Sequence, residues 1–195
     1  MRNQYKVLAE KYEQVQEGDK PTFNDNIRDI SPGLKQVTRT YYHPDGTPFR
    51  ADGGQKHFYQ FEPDIIVNNL ASRINRLISG RPVNINVAIE EVCDFMEEYV
   101  DIFRTFGKHE DTEGQRQWER EVNPVIISKL KQMDPEGDLY DFYETISKYW
   151  IYDYPDPREE IKNSEEYNDV KEQWNEYQRR ANKLINARKL SLIHI

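Results

Sequence analysis

The chain has 195 residues, with 27 Lys and Arg against 35 Asp and Glu, giving a formal charge of −8 and an isoelectric point near 5.1. That balance gives no general attraction to nucleic acid or anionic membrane; the single cysteine, Cys93, excludes an internal disulfide or a cysteine zinc site; and no apolar run is long enough for a membrane-spanning helix. With only 45 Leu, Ile, Val and Phe residues the core is thin, so 13 Tyr and 3 Trp must supply much of it.

Tyr5, Leu8, Tyr12 and Val15 recur every three to four residues and predict a short amphipathic helix over 3–17 that stops at Gly18. The polar breaker Gly18-Asp19-Lys20-Pro21-Thr22 makes this helix an N-terminal arm. Met1 to Lys6 lack the apolar stretch of a signal peptide, so a soluble protein is expected, cytoplasmic or, if viral, virion-associated.

From Leu34 the period changes to alternation, with Val37, Arg39 and Tyr41 on one face and Gln36, Thr38, Thr40 and Tyr42 on the other. Pro44-Asp45-Gly46 supplies turn chemistry, Asp52-Gly53-Gly54 a second turn, and Lys56 to Phe61 a second alternating strand. The expectation is a β-hairpin, or a three-stranded meander with a short strand near Phe49.

Everything afterwards reads as helix. Pro63 opens one whose stripe is Ile66, Leu70, Ile74 and Leu77, ending at Gly80. The next starts near Asn84 or Asn86 and is expected to run to Phe106, with Ile85, Ile89, Val92, Met96, Tyr99, Phe103 and Phe106 forming a broad core face. Thr112 and Gln115 fit a capping box ahead of Trp118 and Val122, and Asn123-Pro124 predicts a break with Asn123 as a new N-cap. Leu139, Phe142, Tyr143, Ile146 and Trp150 mark a further helix, and Asp156-Pro157-Arg158-Glu159 is a strong start signal. Tyr167, Val170, Trp174, Tyr177, Ala181 and Leu184 then follow at spacing 3, 4, 3, 4, 3, an apolar stripe in a charged helix.

The last six residues, Leu190-Ser191-Leu192-Ile193-His194-Ile195, match the translation of a transposon end used to tag DNA for sequencing. Residues 190–195 are therefore expected to be adapter read-through, with the native chain continuing past Lys189. Such an origin, with a composition rich in Ile, Asn and Tyr, points to a phage or viral gene.

Several constellations could carry chemistry. His43-Pro44-Asp45, preceded by Tyr42, resembles the His-Pro-Asp signature of J-domains, and the resemblance implies stimulation of an Hsp70-type chaperone; the β-like residues on either side favour a Pro-Asp-Gly turn instead. His43, Asp45 and His57 offer two imidazoles and a carboxylate, a donor set suited to zinc or non-haem iron. Glu90, Asp94, Glu97 and Asp101, joined by Glu91 and Glu98, line one side of the core helix as a solvated face or a docking strip for a basic partner. Lys35, Arg39, Arg50 and Lys56 interleave with Tyr41, Tyr42, Phe49, Phe58 and Tyr59, a pattern that stacks on single-stranded nucleic acid.

The expected fold is mainly α: a helical bundle-like body with a small antiparallel β element near the N-terminus and a long C-terminal amphipathic helix. The plan is an arm over 1–20, a β-hairpin region over 21–61, a body over 62–154 and the long helix over 155–189. The expected function is a non-enzymatic protein-protein interaction or structural accessory role, with no cofactor, exercised on a protein partner or by self-association through Tyr167, Val170, Trp174, Tyr177, Ala181 and Leu184. The alternatives are a metal-dependent enzyme using His43, Asp45 and His57, and a nucleic-acid-binding hairpin.

Overall fold

The computed structural model describes residues 22–49, 55–103, 112–151 and 156–193. Contacts divide the chain into two units, one holding residues up to Ile30 with Lys35–Gln60, the other Ser31–Leu34 with Phe61–Ile195. The predicted helix over 3–17 lies outside the described residues.

The first unit is an antiparallel sheet of β1 (Thr22–Ser31), β2 (Leu34–Tyr42) and β3 (Lys56–Phe61), in the order β1-β2-β3. β1 was not foreseen, because Asn24, Asp25, Asn26 and Asp29 are residue types that strands disfavour. Pairing with β2 overrides that local preference. Arg39 donates from Nε and Nη2 to both carboxylate oxygens of Asp25, at 2.7 and 2.8 Å, and its guanidinium lies 3.9 Å from the Phe23 ring centre. The third strand is therefore β1, and near Phe49 there is instead a single antiparallel bridge between Tyr42 and Pro48. Only Val37 and Tyr59 are fully buried among this unit's described residues.

The turn between β1 and β2 belongs to the helical unit. Gly33 adopts φ of +81°, and a Cβ there would sit 3.0 Å from the Glu62 carbonyl oxygen, so only glycine fits. The Gly33 carbonyl accepts from the Glu62 N–H at 2.8 Å, and the Pro32 carbonyl accepts from the Tyr99 hydroxyl at 2.9 Å.

The helices are α1 (Pro63–Ile78), α2 (Ile85–Tyr99), α3 (Thr112–Glu121), α4 (Asn123–Met133), α5 (Asp138–Ile151), α6 (Pro157–Asn163) and α7 (Tyr167–Ile193). α1 buries Ile66, Leu70 and Ile74 as the stripe requires, with Val67, Ala71 and Ile78 beside them; Leu77 is only half-buried. The Asn84 side chain caps α2 by accepting from the Asn86 N–H at 2.8 Å. α2 does not continue to Phe106: it ends at Tyr99 and tightens into a 3₁₀ turn at Asp101–Phe103, which still buries Phe103. The break at Pro124 is present, but the cap is Val122, whose backbone is still helical, so Asn123 is already inside α4. The segment over 155–189 is two helices rather than one. Asp156 caps α6, and Ser164, in extended backbone, ends it before α7 begins.

The core of this unit joins two aromatic groups. Trp118 of α3 lies 5.9–6.4 Å from the rings of Phe61, Phe95, Tyr99 and Phe103, spacings suited to tilted and edge contacts. Trp174 of α7, fully buried, packs on Phe142 of α5 at 5.2 Å. Polar groups fix the register of α7 as well. Buried Asp134 accepts from the Leu139 N–H and pairs with Arg180 at 2.9 Å, while Arg180 also reaches Asp138 at 2.6 Å. Gln178 Oε1 accepts from the Val83 N–H at 2.8 Å.

Candidate interaction site

The metal donors proposed from sequence are not brought together. His43 stacks on Phe49 with ring centres 4.9 Å apart, Asp45 accepts from both the N–H and the hydroxyl of Thr47, and His57 Nδ1 lies 3.0 Å from the Thr38 hydroxyl. The two Thr47 donors hold the Asp45 carboxyl below its ordinary range. Among the described residues no group of three or more His, Cys, Asp or Glu could hold a metal ion. The reason is local: Pro44-Asp45-Gly46 closes a tight turn, with the His43 N–H donating to Thr47 O and the Gly46 N–H to His43 O, which commits Asp45 to the turn itself. The same geometry sets His43-Pro44-Asp45 between a strand and a bridge, not between the two helices the J-domain resemblance requires.

In the basic and aromatic hairpin, Arg39 is likewise committed. Arg50 lies outside the described residues. Arg39 spends its charge on Asp25 and its flat faces on Phe23 and Phe58, the latter 5.2 Å away. A guanidinium held in both ways is not free to bind phosphate.

The acidic strip of α2 is a docking strip whose basic partners come from this same chain. Arg158 of α6 donates from Nε to Glu90 at 3.0 Å and from Nη2 to Asp94 and Glu97 at 2.8 and 2.6 Å, while Lys162 reaches Glu90 at 2.7 Å. On the other side Arg73 of α1 pairs with Glu98 and Glu91, and Arg76 with Glu91. Sequence reasoning missed these partners. The signal was present: Arg158 and Lys162 are four apart on one helix, as Glu90 and Asp94 are on the other. α6 also places Arg158 5.7 Å from the Trp150 ring. Below it Cys93 is fully buried, and burial pushes its thiol up to about 11, which removes it as a nucleophile at neutral pH.

Arg158→Gln is expected to lower stability by about 1–2 kcal/mol, because one guanidinium bridges three partly exposed carboxylates and offsets part of their repulsion. The loss should shrink in 1 M salt relative to dilute buffer, since salt screens the repulsion left among Glu90, Asp94 and Glu97. Thermal melts of both proteins at the two salt concentrations check this; an equal difference at both would contradict the electrostatic account.

The C-terminal stripe turns inward. Val170, Trp174, Tyr177 and Ala181 are buried in the helical unit, where α7 lies against α5 and α2. Tyr167 is half-buried and donates its hydroxyl to Asn86 at 2.9 Å. Of the six residues assigned to a partner, Leu184 alone is exposed, at 61%. At the four buried positions the narrow stripe is covered by the body's own helices. No family model, no curated protein and no solved structure matches the chain.

Four elements still leave large apolar side chains in water: α1 with Ile65, α2 with Val87, and β1 and α7. On β1, Phe23 and Ile27 are 49% and 53% exposed; past Ala181, α7 continues with Leu184, Leu190, Leu192 and Ile193 all exposed. A surface hollow of about 480 Å³ lies along α3, lined by Gln115, Arg116, Glu119 and Arg120. Its side chains come from one face of one helix and do not converge on a point. No helix among the described residues is long and apolar enough to cross a membrane.

Proposed function

We propose that this chain is a non-enzymatic interaction or structural accessory protein that works by assembly. One observation carries the reading: regular elements in each unit present large apolar side chains to solvent, Phe23 and Ile27 on β1 in one unit and Ile65, Val87 and Leu184 on helices of the other. The residue types that could do chemistry are engaged in internal pairs. Arg39 holds Asp25, Arg158 and Lys162 hold the α2 acids, and Arg180 holds Asp134 and Asp138. The eight residues of α7 from Asn182 to Lys189 amount to about 12 Å of helix, and β1 is ten residues long. Such faces gain by being covered, at about 25 cal/mol for each Å² of apolar surface removed from water.

Light scattering over a wide concentration range tests this. The average mass is expected to rise above 23.3 kDa with concentration, and to rise further in 1 M salt, as apolar association does. A strict monomer at millimolar concentration in both buffers would sink the reading.

A further inference from the structure

The surface through which copies assemble can be narrowed to one edge, on the assumption that the assembly reading above holds. We propose that β1 is the self-association edge: two copies join antiparallel along β1, about a two-fold axis at Asp25, to form a continuous six-stranded sheet.

β1 is the outer strand in the order β1-β2-β3, so among the described residues one row of its N–H and C=O groups faces away from the sheet. Soluble proteins blunt such edges with short strands, charged side chains (lysine above all), proline or bulges. β1 has ten residues, no proline, and two half-exposed apolar side chains, Phe23 and Ile27; of its three charged residues, Asp25 and Asp29 are paired within the sheet with Arg39 and Lys35, and Arg28 is the third.

Geometry then selects the register. In an antiparallel pair of identical strands the two-fold axis is perpendicular to the sheet, so a residue and its symmetry mate share a face. The axis must therefore pass through a residue, and residues equally far before and after it become opposite neighbours. An axis at Asn26 sets Phe23 against Asp29 and Asp25 against Ile27. An axis at Ile27 sets Asp25 against Asp29, two like charges. An axis at Asp25 sets Phe23 against Ile27 twice, once on each side, which covers both exposed apolar groups with the aromatic–aliphatic pairing that sheets favour.

The cost is Asp25 facing its own copy. That cost is already met within each protomer, because Arg39 binds both oxygens of Asp25, so the centre becomes a neutral group of two carboxylates and two guanidinium ions. On the opposite face the same axis sets Asn24 against Asn26, whose amides can pair. The self-complementarity of this one register is what commits the edge to a second copy.

The test uses sedimentation equilibrium of the whole chain. Wild type is expected to shift from 23.3 kDa towards twice that mass with concentration. Ile27→Lys, at a position 53% exposed and so outside the core, is expected to weaken dimerisation about tenfold with unchanged circular dichroism. A double variant, Asn24→Cys with Asn26→Cys, is expected to give a cross-linked dimer on mild oxidation, and each single variant far less; Cys93 is buried and does not compete. The cross-link reads the register even if Ile27→Lys disturbs the sheet. If wild type dimerises but the double variant does not cross-link, or if a folded Ile27→Lys dimerises normally, the β1 edge is wrong while assembly stands. If wild type never exceeds the monomer mass, both fall.

Discussion

Replacing Trp174 by alanine is expected to destabilise the protein by about 3–5 kcal/mol, the range for removing a fully buried large aromatic. Trp174 is 0% exposed and packs on Phe142 at 5.2 Å and Tyr177 at 5.7 Å. Alanine would leave a cavity under α7 that two polar anchors resist closing: Gln178 on Val83, and Arg180 on Asp134 and Asp138. Because a domain holds only about 5–15 kcal/mol in total, the melting temperature should fall by roughly 10–15 °C. Trp174→Phe separates packing from polarity. The indole Nε1 is buried with no hydrogen-bond partner among the described residues, so phenylalanine removes an unsatisfied donor while keeping much of the apolar area, and it should cost distinctly less than alanine. Leu184→Lys, ten residues further along the same helix but in water, should leave the melting temperature unchanged. Calorimetry on the three variants checks the order. A Trp174→Ala protein that melts within about 2 °C of wild type would show that α7 is not part of the core.

The second large effect is a steep loss of stability in alkali. Burial pushes the Cys93 thiol from an ordinary value of 9.0 up to about 11. It pushes the Tyr99 and Tyr177 hydroxyls from 10.0 up to about 12, with Glu98 and Asp134 adding to the rise, and the fully buried Tyr143 hydroxyl moves in the same direction. Each group is an acid that the folded state keeps protonated beyond the pH at which the unfolded chain releases its proton. The folded state then binds more protons than the unfolded one, and stability falls as pH rises. The contribution is fully present below pH 9, begins to fade as the unfolded thiol ionises, and is lost as pH passes 11 and 12. At about 1.4 kcal/mol for each unit of separation, the sum by pH 11 is several kcal/mol, comparable with the whole stability. Tyr99 has a further reason to resist: its hydroxyl donates to the Pro32 carbonyl at 2.9 Å, which a tyrosinate cannot do. The expected result is a melting temperature that is flat from pH 7 to 8.5 and then drops, with a cooperative step in tyrosinate absorbance at unfolding superimposed on the gradual titration of the tyrosines outside the core. Cys93→Ala should flatten the slope between pH 9 and 11 in particular. A gradual rise that reaches the absorbance of all 13 tyrosines with the fold intact would mean that these hydroxyls are accessible.

The helices were legible because their signals are local. Pro63, Asn84, Pro124, Asp156 and the stripes on α1, α2 and α7 lie within a turn or two of the residues they govern, and a period of 3.6 needs no knowledge of the partner. Pro44-Asp45-Gly46 was legible for the same reason. β1 was not, since Asn24, Asp25, Asn26 and Asp29 argue locally against a strand and only β2 supplies the missing hydrogen bonds. Residue type alone also could not say what His43, Asp45 and His57 would touch: the fold sets Asp45 against Thr47 and His57 Nδ1 beside the Thr38 hydroxyl.

Periodicity established that residues 167–184 carry one apolar stripe led by Trp174, and it could say no more, because a stripe records that something covers it and not what. Tertiary structure decided that α5 and α2 are the cover, leaving Leu184 and the residues after it in water. Composition likewise established an acidic chain with an acidic strip on α2, but the answering cations, Arg158 and Lys162, stand more than sixty residues away in sequence. Charge pairing acts through space over a few Å, and only the folded chain brings those residues within that distance.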